Sequence, residues 1–127
     1  MAIHTQIVLE PAYVCLRCEG SFSSVSELLQ VFDEAFRAAG QNQRERILVD
    51  GSAISGKNIS TVERFKIGTF LSEINSTIPM NIAALAVVAP GPLVEPERFG
   101  ETVARNRGVN GRAFTDIAEA IAWINAV

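Results

Sequence analysis

The chain opens with a hydrophobic pattern of period two. A short apolar run at residues 6–10 is followed by a Pro-Ala turn, and residues 13–19 then alternate between apolar and polar side chains. Alternation of this kind predicts β-strands, and a connection this short predicts an antiparallel hairpin. Gly20 is expected to end the second strand.

The period then lengthens to that of an α-helix. From Ser24 onward, apolar residues recur every three or four positions, which predicts one amphipathic helix that ends at Gly40. Ser24 and Glu27 have the spacing of a capping box, in which each side chain accepts a hydrogen bond from the backbone N–H of the other residue. The apolar stripe comprises Val25, Leu28, Leu29, Phe32, Ala35, Phe36 and Ala39.

Strands and helices alternate over the rest of the chain. The predicted elements are, in order, a strand at 46–50, a loop at 51–58, a helix from Ser60 with a second capping box to Glu63, a strand at 81–89, a helix at 95–107, a strand at 111–114 and a helix from Asp116 with Ile117, Ala120, Ile121 and Ile124 as its stripe. The run at 81–89 is apolar without alternation, as in a strand covered on both faces. This order predicts an α/β fold: a mostly parallel central sheet of about five strands, led by a β-hairpin, with about four helices.

Composition narrows the class of protein. The 127 residues contain no repeat or linker, so we expect one domain over 1–127. The net charge of −3 is spread along the chain, which argues against nucleic-acid binding. The N-terminus lacks a secretory signal, and the longest apolar stretch, 82–90, is shorter than the roughly 20 residues of a membrane span. We therefore expect a cytoplasmic protein.

The residues that usually carry catalysis or bind metals are sparse. His4 is the only histidine, and no cysteine or carboxylate stands at ligand spacing from it. Cys15 and Cys18 are three positions apart on a predicted strand, so they point to opposite faces and are expected to be free structural thiols. We find no set of base, nucleophile and orienting group, and expect no enzyme, no cofactor and no metal site.

The segment after the third strand is the strongest candidate for ligand contact. Asp50 closes that strand, where open α/β sheets bind their ligands, and Ser52 follows in a loop rich in small residues. Gly51, Gly56 and Lys57 have the spacing of a phosphate-binding loop, but Asn58 stands where that motif needs serine or threonine. Asp50 and Ser52 are thus candidate ligand-binding residues.

Three stretches of the chain resemble the SpoIIAA-like family, a branch of the STAS-type domains that is related in fold to the CRAL-TRIO lipid-binding domains. They are the aspartate-ending strand and its loop at 47–56, the helix at 62–68, and the C-terminal segment at 114–124 with its phenylalanine, acidic cap and Ala-x-x-Trp-Ile sequence. The resemblance implies a non-catalytic domain that binds a small lipophilic ligand or a protein partner. It also implies a homodimer and transient contact with membranes.

A lipophilic ligand needs an apolar cavity with a cover. The candidate lining residues on predicted helices are Phe65, Phe70 and Phe99, and Leu93 lies in a Pro-rich segment that would form the cover. The alternative is that these side chains fill the core.

The resemblance also offers a second role, as a phospho-regulated signalling module. Anti-sigma-factor antagonists carry a phosphorylatable serine in an Asp-Ser-Ser-Gly turn, and alignment places Asn58-Ile59-Ser60-Thr61 there. Ser60 falls on the phosphorylatable position, at a predicted helix N-terminus that favours an added phosphate. The simpler interpretation is that Ser60 only caps its helix.

Overall fold

The computed structural model describes residues 3–56, 58–78, 81–93 and 110–127. Within these ranges lie five strands, three α-helices and one 3-10 turn. They are β1 (His4–Leu9), β2 (Val14–Phe22), α1 (Val25–Asn42), β3 (Arg46–Gly56), α2 (Thr61–Thr77), β4 (Ala84–Val88), the turn Gly91–Leu93, β5 (Gly111–Phe114) and α3 (Ile117–Ala126). The helix predicted at 95–107 lies outside the described residues. None of the described helices is long and apolar enough to cross a bilayer.

One sheet organises the described chain. The strand order is β1-β2-β3-β4-β5; β1 runs antiparallel to β2, and every other pair is parallel. The central pair matches Leu48 with Ala86 and Val49 with Val87. These strands are apolar on both sides because helices cover both faces. The predicted α/β class and hairpin-led, mostly parallel sheet are confirmed.

The two faces of the sheet carry separate cores. Side chains such as Leu16, Ile47 and Leu85 pack under α1 and α2 in the first core. Side chains such as Leu48, Ala86 and Phe114 pack under α3 in the second core. Adjacent residues of a strand point to opposite faces, so β3 contributes Ile47 and Val49 to one core and Leu48 to the other.

β2 and β3 continue past the residues where the sequence predicts that they end. β2 does not end at Gly20 but continues to Phe22, because glycine adopts the φ of 122° found there without steric cost. β3 does not end at Asp50 but continues to Gly56, paired with the extension of β2 from Glu19 onward. The loop predicted at 51–58 is therefore wrong over 51–56, which belong to β3. The extended backbone of 51–56 differs from that of a phosphate-binding loop.

The ends of α1 also differ from the prediction. The helix passes through Gly40 to Asn42, and Gln43 ends it in the left-handed conformation with φ of 55°. Ser24 is the N-cap residue, but its side chain makes no capping hydrogen bond. The Glu27 carboxylate instead accepts a hydrogen bond of 2.8 Å from the backbone N–H of Ser23, one residue upstream.

The starts of α2 and α3 agree better with the prediction. Ser60 and Glu63 form the full capping box, and the Asp116 carboxylate accepts a hydrogen bond of 2.9 Å from the backbone N–H of Ala118. In the stripe predicted for α3, Ala120 and Ile124 are buried, Ile117 is half-buried, and Ile121 is 36% exposed. Ile121 lies at the margin of the area that a ten-residue helix covers on this face.

Candidate functional site at the start of α2

The carboxyl ends of β2 and β3 bring two connections together. Phe22, the last residue of β2, pairs with Gly56, the last residue of β3. The turn before α1 and the segment before α2 therefore leave the sheet side by side. Both helices begin at this end, so their free N-terminal N–H groups and positive dipole ends point the same way. This end is suited to groups that carry negative charge.

Ser60 occupies the first position of this surface. It is exposed, and its hydroxyl accepts a hydrogen bond of 3.1 Å from the backbone N–H of Glu63. The Glu63 carboxylate accepts one of 3.0 Å from the backbone N–H of Ser60. The hydroxyl oxygen thus accepts a hydrogen bond within the helix cap while the side chain stays exposed to solvent.

Arg64 links α2 to the turn that follows β4. Its guanidinium Nη1 donates a hydrogen bond of 2.9 Å to the carbonyl of Leu93. The backbone N–H of Leu93 in turn donates to the carbonyl of Pro90 at 2.9 Å, which closes the 3-10 turn. Arg64 is also one helical turn from Ser60 and its backbone N–H donates to the Ser60 carbonyl at 2.9 Å. A positive side chain thus stands within reach of the serine.

Two apolar side chains in the first turns of α2 are exposed. Val62 is 66% exposed and Phe65 is 43% exposed, whereas Leu71 and Ile74 farther along the helix are buried. The helix that Ser60 caps therefore presents valine and phenylalanine to the surface near its start. The sequence prediction included Phe65 as a cavity residue and missed Val62. The available signal was that Val62 lies off the stripe formed by Ile67, Phe70, Leu71 and Ile74.

Asp50 and Ser52 lie elsewhere, on the sheet face that α3 covers only in part. The Asp50 carboxylate accepts hydrogen bonds from the backbone N–H of Ser52, at 3.2 Å, and from its hydroxyl. The register of the β2–β3 ladder shifts between Arg17 and Glu19. Arg17 pairs with Asp50, but Glu19 pairs with Ala53 instead of Ser52. The surrounding surface is concave, encloses about 340 Å³ and is lined by His4, Thr5, Gln6, Arg17, Cys18, Glu19, Asp50, Ser52 and Ala53. The sequence did not indicate the contributions of β1 and β2 to it.

The predicted ligand-binding residues do not form one site. Phe70 and Leu93 are half-buried against the first core, on the opposite face from Asp50 and Ser52. Phe65 is exposed on α2, and Phe99 lies outside the described residues. Phe70 and Leu93 thus pack against a core, which for Phe70 is the alternative considered above. The lipophilic ligand stays a prediction.

The two cysteines are on opposite faces of β2, as their spacing predicts. Both are free and buried, and the Cys18 thiol donates a weak hydrogen bond to the Asp50 carbonyl at 3.4 Å. Burial, followed by the nearby Asp50 carboxylate, raises the pKa of Cys15 to about 11 and that of Cys18 to about 12. Both thiols are therefore protonated near neutral pH and poor nucleophiles. Within the described ranges, no group of three or more metal-binding side chains occurs.

Comparison with known proteins gives a structural match and no sequence match. No protein-family model and no curated protein matches the chain. Among solved structures, an anti-sigma factor antagonist from Mycobacterium paratuberculosis superposes with a TM-score of 0.58 at 14% identity, over 98% of this chain and 95% of that one. The chain has a SpoIIAA-like, STAS-type fold. An uncharacterised protein of the DUF3478 family from Shewanella loihica, with a SpoIIAA-like fold, superposes with a TM-score of 0.49 at 13% identity, over 97% and 94% of the two chains.

Proposed function

We propose that this SpoIIAA-like domain binds a protein partner through the start of α2 and that phosphorylation of Ser60 controls the binding. The observation that carries the proposal is an exposed serine hydroxyl at the N-terminus of a helix whose first turns also expose Val62 and Phe65. The fold supports the same reading, since a protein named as an anti-sigma factor antagonist shares it. An antagonist of that kind acts on another protein.

The surface fits a partner with an apolar pocket. Exposed aromatic and aliphatic side chains in a small patch are the usual anchors of protein interfaces. Val62 and Phe65 are three positions apart, so they lie on the same side of α2. Ser60 caps the same end of α2, so a charge added there would act on a partner that covers this end of the helix. The proposed partner is therefore a protein that contacts both the apolar patch and the serine.

Phosphorylation at Ser60 would reorganise the capping box. A kinase would transfer the γ-phosphoryl group of ATP to the Ser60 oxygen, with loss of the hydroxyl proton, and the phosphoserine would carry a charge of about −1.5 to −2. The Glu63 carboxylate, whose Oε1 lies 3.0 Å from the Ser60 nitrogen, would be repelled. The helix N-terminus and the Arg64 guanidinium would attract the phosphate. The apolar patch would then carry a large negative charge at its rim.

A series of variants tests the proposal. The tagged protein is expressed in its native cells as wild type, Ser60→Ala, Ser60→Glu and Ser76→Glu, and partners and phosphosites are identified by mass spectrometry. Ser76 is an exposed serine at the far end of the same helix and serves as the matched control. We expect phosphate on Ser60, and at least tenfold weaker partner binding for Ser60→Glu than for Ser60→Ala and Ser76→Glu.

Two observations together would contradict the proposal. If Ser60 carries no phosphate and Ser60→Glu retains the partners of the wild type with equal affinity, the proposal is wrong. A Val62→Asp variant separates the two parts of the proposal: it should lose the partner even without phosphate, because an unpaired carboxylate then enters the apolar contact. In this proposal the chain itself performs no reaction, since the kinase supplies the phosphoryl transfer.

A further inference from the structure

The outer edge of β1 lacks the features that usually protect sheet edges. Among the described residues, β2 pairs with one side of β1 and no strand pairs with the other. The six residues of β1 include no proline and no lysine, arginine, aspartate or glutamate, and Ile7 and Leu9 are 44% and 50% exposed. Edge strands are commonly short, charged or interrupted, which prevents pairing with other chains. β5, the opposite edge, has four residues and an exposed Arg112.

The hairpin determines which backbone groups of β1 face outward. The Glu10 N–H donates to the Tyr13 carbonyl at 2.9 Å, so Glu10 and Tyr13 form a hydrogen-bonded pair. In an antiparallel ladder such pairs alternate with non-bonded pairs. The residues at even positions of β1 therefore bond to β2, while Thr5, Ile7 and Leu9 turn their N–H and C=O groups to the outside. The side chains of these three residues share the sheet face beside α1, where the Thr5 hydroxyl donates a hydrogen bond to Glu34.

We propose that β1 pairs in antiparallel fashion with β1 of a second copy of this chain, about a two-fold axis at Ile7. In this register every outward N–H and C=O group of Thr5, Ile7 and Leu9 meets a partner. The cross-strand pairs are Ile7 with Ile7, Leu9 with Thr5, Val8 with Gln6, and Glu10 with His4. The exposed isoleucines then cover each other, and Glu10 faces His4 of the second copy.

A second copy fits this edge better than an unrelated strand because the edge is complementary to itself. A two-fold axis at Gln6 would place His4 opposite Val8 and leave Glu10 without its counterpart. The axis at Ile7 pairs the outward backbone groups and the two isoleucines, and it sets Glu10 opposite His4 of the second copy, in the self-complementary manner of a two-fold interface. The result is a sheet continuous across two domains. It involves neither α2 nor Ser60, so it is independent of the proposed function.

Oligomeric state tests the proposal directly. Sedimentation and light scattering are measured for the wild type, Ile7→Lys, Ile7→Pro and Ile121→Lys. Lysine at the axis opposes lysine of the other copy, and proline removes an outward N–H group without removing a bond to β2. Ile121 is a comparably exposed isoleucine on α3 and is the control. We expect a dimer for the wild type and Ile121→Lys, and at least tenfold weaker dimerisation for both Ile7 variants, with unchanged circular dichroism.

A monomeric wild type at hundreds of micromolar, or an Ile7→Lys variant that dimerises as the wild type does, would overturn the proposal. Single cysteines test the register. Ile7→Cys places two thiols opposite each other, with Cα atoms about 5.5 Å apart, which a disulfide spans. Leu9→Cys places them about 13 Å apart along the strands. With oxidised glutathione, we expect the first variant and not the second to cross-link; cross-linking of Leu9→Cys alone would refute the axis at Ile7. If the β1 variants disprove this dimer, the results expected for the Ser60 variants do not change, because the two proposals involve different surfaces.

Discussion

At the scale of single residues, two serines with the same local sequence pattern behave differently. Ser24 and Ser60 each precede a glutamate by three positions, and each is the N-cap residue of its helix. Only the Ser60 side chain accepts a hydrogen bond from the backbone. Before α1, Glu27 accepts a hydrogen bond from the Ser23 N–H instead, and Ser23 precedes the pattern that the sequence presents.

This difference predicts unequal costs for two equivalent substitutions. Ser60→Ala removes a capping hydrogen bond and should lower the free energy of unfolding by about 1 kcal/mol. Ser24→Ala removes no side-chain bond of this kind and should cost at most a few tenths of that. Urea denaturation followed by circular dichroism measures both. Equal losses for the two variants would show that Ser24 also caps its helix in solution.

The same comparison shows what a local motif can predict. The Ser-x-x-Glu spacing correctly places the start of both helices, because it reports which residues have suitable side chains. It does not report which N–H group each carboxylate finally reaches, since that depends on the path of the preceding chain. At Ser24 this path follows from the extension of β2 to Phe22, which pairing with β3 produces.

At the scale of elements, the strands were predictable where they are apolar and not where pairing alone extends them. β5 is found at the predicted residues, and β4 lies within its predicted range. The segment 51–56 is rich in glycine and serine, which is typical of a loop, yet it belongs to β3 because β2 runs beside it. Tertiary pairing overrides local preference in this strand. The loop predicted over 51–56 was wrong for this reason.

Gly51 marks a close approach within this extended strand. A Cβ atom at Gly51 would lie 2.8 Å from the backbone oxygen of Val88 in β4, which cannot move without disturbing the ladder. Gly51→Ala should therefore cost about 1–3 kcal/mol, as overpacking in a core does. Gly91→Ala is the control, since no atom lies within 4 Å of its added methyl group. Thermal denaturation compares them. A Gly51→Ala variant as stable as the control would show that β3 and β4 separate easily at this point.

At the scale of the whole molecule, the candidate site depends on topology more than on any motif. The sequence identified Ser60 and Phe65 but treated them as parts of different hypotheses, a phosphorylation site and a lipid cavity. The fold places both on the first turns of α2, at the end of the sheet where β2 and β3 finish together. Periodicity places Val62 and Phe65 off the apolar stripe of α2, but it does not show that both lie at the end of the sheet where β2 and β3 finish.

The two cores are joined by a shared sheet, so they should unfold together. Val31 is a residue of α1 and is buried in the first core. The single tryptophan, Trp123, lies against Phe114 in the second core with ring centroids 5.8 Å apart. Val31→Ala should lower the free energy of unfolding by about 1.5–3 kcal/mol. Because β3 and β4 line both cores, the midpoint from Trp123 fluorescence should fall as much as that from circular dichroism, whereas exposed Gln30→Ala on the same helix should move neither. A fluorescence midpoint unchanged by Val31→Ala would mean that the face under α3 unfolds independently. In that case a conformational change at α2 would not be coupled through the sheet to the face under α3.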